Sequence, residues 1–253
     1  MMNRRELGAG EALIMVHGFA GGSGYWSPVA ESFAEQFHVV MPDLPGFAGS
    51  TTIPVPETVQ GFAAGLIKIM DKLAIEQCSL LGHSMGGMIA LQAALDAPSR
   101  ISRLVLYGTS CQAVIPDRYE TLDETIARFE TEGIDATIDR VVASWFVDYE
   151  MSPAYAACRA AAVGLTATTA IAAMTTMRPW NVCDRMSEIG VPTLVIGGDK
   201  DRSIPPQHFL NLWHGIPDSH LAVLPNCAHA VHLEEPALFT RFVGEFLSTG
   251  NVG

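Results

Sequence analysis

Three side chains with complementary chemistry occur in a telling order along the chain. Ser84 sits in Gly82-His83-Ser84-Met85-Gly86, a G-x-S-x-G pattern that ends the apolar run Cys78 to Leu81. The flanking glycines leave room for the strained strand-to-helix turn that lifts a serine Oγ above a sheet. Downstream comes an acidic loop, Gly198-Asp199-Lys200-Asp201, and then Asn226-Cys227-Ala228-His229. A serine hydroxyl is a weak nucleophile by itself. A histidine such as His229 can remove its proton, while a carboxylate holds the imidazole tautomer and offsets the charge that develops. Either Asp199 or Asp201 could serve, and His232, three residues beyond His229, could share its helical face. The chemistry implied is attack on a carbonyl.

Such residues must be positioned, and the hydrophobic pattern predicts how. Strands are expected near 12–16, 38–42, 78–82, 103–107, 193–197 and 220–224, with helices between them. One helix should bury Phe62, Leu66, Ile69, Met70 and Leu73 on a single face, and another should run from Met85 to Leu95 before Pro98 closes it. Serine, acid and histidine then each follow the carboxyl end of a strand, where open parallel sheets place their sites. This predicts an α/β fold with a doubly wound, mostly parallel sheet. From Cys111 to Trp180 the alternation yields to helical patterns, such as Tyr119 to Glu132 and Ile134 to Phe146. Residues 1–110 and 181–253 are therefore read as the core, and 111–180 as an inserted helical lid.

The chain resembles the α/β-hydrolase family, in its serine-nucleophile, esterase-like branch, over nearly its whole length. His17-Gly18-Phe19 after the strand Ala12 to Val16, the loop Asp43-Leu44-Pro45-Gly46-Phe47-Ala48-Gly49-Ser50, Gly198-x-x-Asp201, and His229 followed by Glu234 and Pro236 match its ordered motifs. Ala48 replaces a glycine of that pattern. The resemblance implies a catalytic triad of Ser84, Asp201 and His229, with Asp199 a solvated neighbour and His232 a packed one. It implies an oxyanion hole from the backbone N–H groups of Phe19 and Met85, a helical cap, and no cofactor. Only about a dozen residues precede the strand that leads to His17-Gly18, so the family's leading hairpin should be reduced or absent.

Composition removes other classes. A formal charge of −12 without a Lys/Arg cluster opposes a nucleic-acid surface. No histidine or cysteine spacing suggests a metal site. The five cysteines are scattered without CxxC spacing, which reads as small buried hydrophobes in a reducing, cytoplasmic setting. Residues 160–177 are uncharged but mostly Ala and Thr, too weakly hydrophobic for a membrane span. His83 is expected to pack beside Ser84, and His208, His214 and His220 to be solvated.

Residues 111–180 carry ten Asp or Glu against five Arg and no Lys. That balance discourages a strongly anionic substrate unless Arg159 or Arg178 turns inward. Trp145, Phe146, Trp180 and the methionines at 174 and 177 are candidates for an apolar substrate pocket. The reading that follows is a serine hydrolase of a small to medium ester, working through an acyl-enzyme. Alternatives with the same triad are an enol-lactone or carbon–carbon bond hydrolase and a cofactor-free perhydrolase. A ligand-binding protein without catalysis is the remaining class. Family members that cleave carbon–carbon bonds usually carry Asn where this chain has His83, which places that alternative below ester or lactone cleavage.

Overall fold

The computed structural model describes residues 2–249. Seven strands form one sheet: β1 (Arg4–Leu7), β2 (Glu11–Val16), β3 (Phe37–Pro42), β4 (Cys78–His83), β5 (Ile101–Tyr107), β6 (Thr193–Gly198) and β7 (Ser219–Leu224). Their order across the sheet is β1-β3-β2-β4-β5-β6-β7. β1 runs antiparallel to β3, and every other neighbouring pair is parallel. All six strands expected from sequence are present within about two residues. β1 has no apolar period to announce it, because Arg-Arg-Glu-Leu is a charged edge of the kind that blunts further pairing. Among the described residues, β1 is the strand that precedes β2, and it pairs antiparallel with β3.

β2, β4 and β6 are buried along nearly their full length, as parallel strands covered on both faces must be. Their covering helices are α1 (Ser27–Ala34), α2 (Val59–Lys72) and α3 (Met85–Asp96) in the first half of the chain. Four more, α4 (Leu122–Thr131), α5 (Ile134–Ala143), α6 (Tyr155–Ala161) and α7 (Ala167–Met177), lie between β5 and β6. The last three are α8 (Gln207–Gly215), α9 (Val231–Glu234) and α10 (Pro236–Ser248). In α2 the residues Phe62, Leu66, Ile69 and Met70 are buried on one face, as their spacing predicts, whereas Leu73, expected with them, lies at the C-cap and is only half-buried. α4 starts at Leu122 rather than Tyr119 because Thr121 and Glu124 form a capping box that fixes the first turn.

Residues 160–177 span the end of α6 and the whole of α7, separated by a turn with Gly164 at φ +89°, and α7 packs Ala170, Ala173, Met174 and Met177 inward. Among the described residues, no helix is long and apolar enough to cross a membrane.

Strand register brings the functional loops to one rim. Val16 pairs with Gly82, His83 with Tyr107, Tyr107 with Ile196, and Gly198 with Leu224, so the carboxyl ends of β2, β4, β5, β6 and β7 are level. Strand order reverses between β2 and β4, and a crevice at such a reversal is where these sheets take ligands.

The cysteine reading needs correction. Cys111 and Cys183, 72 residues apart, are joined in a disulfide with their Cα atoms 4.9 Å apart. They flank the points where the chain leaves the core after β5 and returns before β6. There a bridge between Gln112 and Asn181, and bonds from Ala113 N–H to Trp180 O and from Val182 N–H to Cys111 O, hold the two crossings side by side. Spacing along the chain hides a pair that only the closed insertion brings together. With it goes the basis for inferring a reducing compartment. Cys78, Cys158 and Cys227 are unpaired and buried, as small hydrophobes are.

Candidate active site

Ser84 occupies the tight turn that its glycines require. Its backbone has φ +54° and ψ −118°, a conformation that costs a non-glycine residue about 1–3 kcal/mol. The turn is fixed on both sides. The N–H of Ser84 donates to Tyr107 O (2.9 Å), and the Thr109 hydroxyl donates to Ser84 O (2.8 Å). A Cβ on Gly86 would lie 2.3 Å from Val16 O, so only glycine lets α3 start this close to β2. The Ser84 side chain makes no described hydrogen bond and opens into a cavity of about 60 Å³ that His229 also lines.

His229 and Asp201 are a buried pair. Nδ1 of His229 lies 2.7 Å from Oδ2 of Asp201. The other carboxylate oxygen accepts the N–H groups of Ser203 and Ile204, both at 2.9 Å. Those bonds fix the carboxylate, so Nδ1 carries the proton and Nε2 is left as the basic nitrogen. Asp199 is exposed beside Lys200, at 3.5 Å. Of the two carboxylates, Asp201 is the one brought to the histidine.

Phe19 and Met85 line the same cavity. Neither backbone N–H donates to a main-chain acceptor among the described loop and cap contacts, and Met85 opens α3, where N–H groups are left over by helix geometry. Two unspent donors beside Ser84 are what an oxyanion would need.

Residues 11–236 match the model of the alpha/beta hydrolase fold family. The chain belongs to the alpha/beta hydrolase fold family. Over 268 aligned residues it is 31% identical to the 2-hydroxy-6-oxononadienedioate/2-hydroxy-6-oxononatrienedioate hydrolase of Comamonas testosteroni, covering 97% of this chain and 90% of that one. Among solved structures, the enol-lactonase from Burkholderia xenovorans LB400 superposes with a TM-score of 0.90 at 23% identity, covering 97% and 96% of the two chains. A thermophilic esterase from Thermogutta terrifontis gives 0.87 at 25% identity, covering 97% and 92%. The chain is therefore similar to hydrolases over 97% of its length.

This α/β hydrolase surrounds its candidate centre with buried histidines. His83 Nε2 donates to His229 O (3.0 Å) and its ring lies against Tyr25 and Tyr107. His232 accepts from the Tyr107 hydroxyl at 3.0 Å and donates to Tyr25 O at 3.2 Å. His17 donates to Gly18 O (2.7 Å) and accepts from Leu44 N–H (2.9 Å), fixing the loop that carries Phe19. Each ring is a packing and positioning element, as the sequence implied for His83 and His232.

Burial disfavours the charged ring, so His17 is pushed down to about 4 and His232 to about 3 from an ordinary 6.5. His83 falls well below 6.5 for the same reason, reinforced by the neighbouring histidines. The unfolded chain then binds more protons than the fold below pH 6.5. Stability that is complete above that value should drain away as pH falls toward 4, by up to about 1.4 kcal/mol per pH unit for each histidine. Urea melts at pH 7.5, 6 and 5 should show a steep decline. A stability curve flat over that range would contradict these neutral rings.

Several side chains fall elsewhere than the sequence suggested. Trp145, Met174 and Met177 line the cavity as expected. Trp180 does not: its indole N–H donates to Gln92 Oε1 (2.8 Å), which packs it against α3. Phe146 is fully buried away from the cavity. Arg159 and Arg178 do not turn inward. Arg159 pairs with Asp135 and Asp139 of α5, and Arg178 with Asp123 of α4. His208 is buried and bonded to Asp117 at 3.0 Å, not solvated, whereas His214 and His220 are exposed. Ala48 adopts φ +44°, so this loop keeps the left-handed turn at the position where the family carries glycine.

Glu234 and Arg202 make contacts near the candidate site that the motif reading did not anticipate. Glu234 accepts the N–H of Val147 (2.7 Å) with one oxygen and that of Ala228 (2.6 Å) with the other. Burial raises its carboxyl, and these two bonds oppose the rise. Arg202 donates to Phe146 O (2.9 Å) and Val147 O (3.3 Å), and Ala230 N–H donates to Trp145 O (3.0 Å). The acid and histidine loops thereby hold residues 145–147, and with them the Trp145 wall of the cavity. Glu234 was visible as part of a motif. Arg202 carried no pattern at all.

Proposed function

We propose that this α/β hydrolase is a serine hydrolase that cleaves a small to medium carboxylic ester through an acyl-enzyme. The observation that carries the reading is one cavity shared by Ser84, in its strained turn, and by His229, whose Nδ1 is held by Asp201. In this mechanism His229 Nε2 takes the Ser84 proton as Oγ attacks the ester carbonyl. The backbone N–H groups of Phe19 and Met85 stabilise the oxyanion, and the alcohol leaves with the proton from His229. Water activated by the same histidine then releases the acid. The α4–α7 segment acts as a cap that limits the substrate, since Leu122, Thr125, Val141, Met174 and Met177 from its helices form part of the wall of the cavity that holds Ser84 and His229.

Cleavage of a carbon–carbon bond is the second reading, favoured by the 31% identical relative named for that class of acid. His83, bonded through Nε2 to His229 O, supports the first: it supplies no free amide beside the serine. A panel of p-nitrophenyl esters from acetate to palmitate, enol-lactones and vinylogous diketones separates them. Esters of short to medium chain should be turned over fastest, and Trp145→Ala should shift the optimum chain length because that indole bounds the cavity. Diketone turnover exceeding ester turnover would select the second reading.

A further inference from the structure

Within residues 111–180, where acidic side chains outnumber arginines ten to five, four arginines have carboxylate neighbours. Arg128 is held by Glu120 and Glu132, Arg140 reaches Glu132 at 3.9 Å, and Arg159 and Arg178 are paired as described. Arg118 is the exception. Among the described residues its side chain has no hydrogen bond or ion pair, and its Nε is shut off from solvent without a partner. It lies on the wall of the cavity that holds Ser84 and His229.

Arg118 is half-buried, and a buried guanidinium Nε–H left without an acceptor at such a site is costly. Burial works against its charge, and the fields of Asp201 and Glu120 offset that only at a distance. Both carboxylates are already engaged, Asp201 by His229 and two N–H groups, Glu120 by Arg128 and the Thr125 hydroxyl. A guanidinium remains charged even so, and its planar fork matches a carboxylate in two parallel hydrogen bonds. We propose that Arg118 binds a carboxylate on the substrate, so that the preferred substrates are esters or lactones carrying a second, free acid group. A singly charged carboxylate suits the place better than a dianion, because Glu120 also lines the cavity and would repel the extra charge.

The inference rests on the hydrolase reading above, and the test separates the two. The probes are mono-p-nitrophenyl glutarate and p-nitrophenyl valerate, which share a leaving group and nearly a chain length but differ in the terminal carboxylate. The native protein should favour the glutarate in kcat/KM by roughly ten- to hundredfold, mainly through KM, as a charge-assisted hydrogen bond to a fixed partner would give. Arg118→Gln should reduce that ratio at least tenfold, and Arg118→Lys should restore part of it, with thermal melts confirming that both variants fold. Arg140→Gln, which alters another arginine of the same wall, should change the ratio less.

A native ratio near one, or one unmoved in Arg118→Gln, overturns the assignment while leaving ester hydrolysis intact. A larger loss in Arg140→Gln than in Arg118→Gln transfers the carboxylate to Arg140 and also overturns it. If neither ester is hydrolysed, calorimetric titration with valerate, a single carboxylate on a five-carbon chain, decides: binding lost in Arg118→Gln supports the subsite although the ester reading has failed, and binding absent from the native protein or unchanged in the variant overturns it.

Discussion

Ser84→Ala is expected to fold as the parent does and to lose ester turnover by roughly 10⁴- to 10⁶-fold, the scale seen when a serine hydrolase loses its nucleophile. The prediction is sharp because the two effects can be separated. The Ser84 hydroxyl makes no described hydrogen bond, so its removal sacrifices no structural contact, and the backbone bonds to Tyr107 and Thr109 do not depend on the side chain. Alanine also bears the same positive φ that serine does. Ser84→Gly should relieve that strain and raise stability by about 1 kcal/mol while being equally inactive. Activity on the best p-nitrophenyl ester and a thermal melt of each variant provide the check. Turnover within tenfold of the parent in a folded variant would move the nucleophile elsewhere, and with it the whole mechanism.

What the sequence made legible follows from where information is local. The strands that carry the site are buried on both faces, so Leu80-Leu81 and Leu194-Val195-Ile196 announce themselves as continuous apolar runs, and the residues after them fall on the ligand-binding rim by topology alone. Ser84, Asp201 and His229 were legible for that reason. Contacts that join distant segments were not. The pairing of Cys111 with Cys183 depends on how α4–α7 returns to the sheet, and neither cysteine has a neighbour in sequence that hints at the other.

The inward arginine was misread in the same way. Arg159 and Arg178 stand near the uncharged stretch that suggested a pocket, yet carboxylates on other helices claim both. Arg118 lies in a loop without periodicity, and only the three-dimensional ledger of partners reveals that it was left over. Trp180 fails as a pocket residue on similar grounds, since the partner for its indole N–H, Gln92, lies 88 residues earlier on α3. Charges and polar handles are assigned by tertiary contacts. Hydrophobic period assigns only the elements.

Asp201→Asn should lower kcat by about 10⁴-fold, whereas Asp199→Asn should change it by no more than two- to threefold. The difference arises from hydrogen-bond polarity at one atom. In the native pair Oδ2 of Asp201 accepts the Nδ1–H of His229, while Oδ1 accepts from Ser203 and Ile204. An asparagine has one accepting oxygen, and the two fixed N–H donors will hold it on their side. Its NH₂ group then faces His229 and donates to Nδ1, which forces the ring proton onto Nε2. That nitrogen can no longer take a proton from Ser84, although shape and packing are almost unchanged. The tautomer is inverted, and the general base is lost. Asp199 is exposed, and its lysine neighbour at 3.5 Å is a surface pair of the kind that contributes little. Comparing kcat for the two variants on one ester, with stability measured alongside, isolates this effect. Equal losses would mean that the acid loop acts through its total charge, and a greater loss at Asp199 would exchange the roles of the two carboxylates.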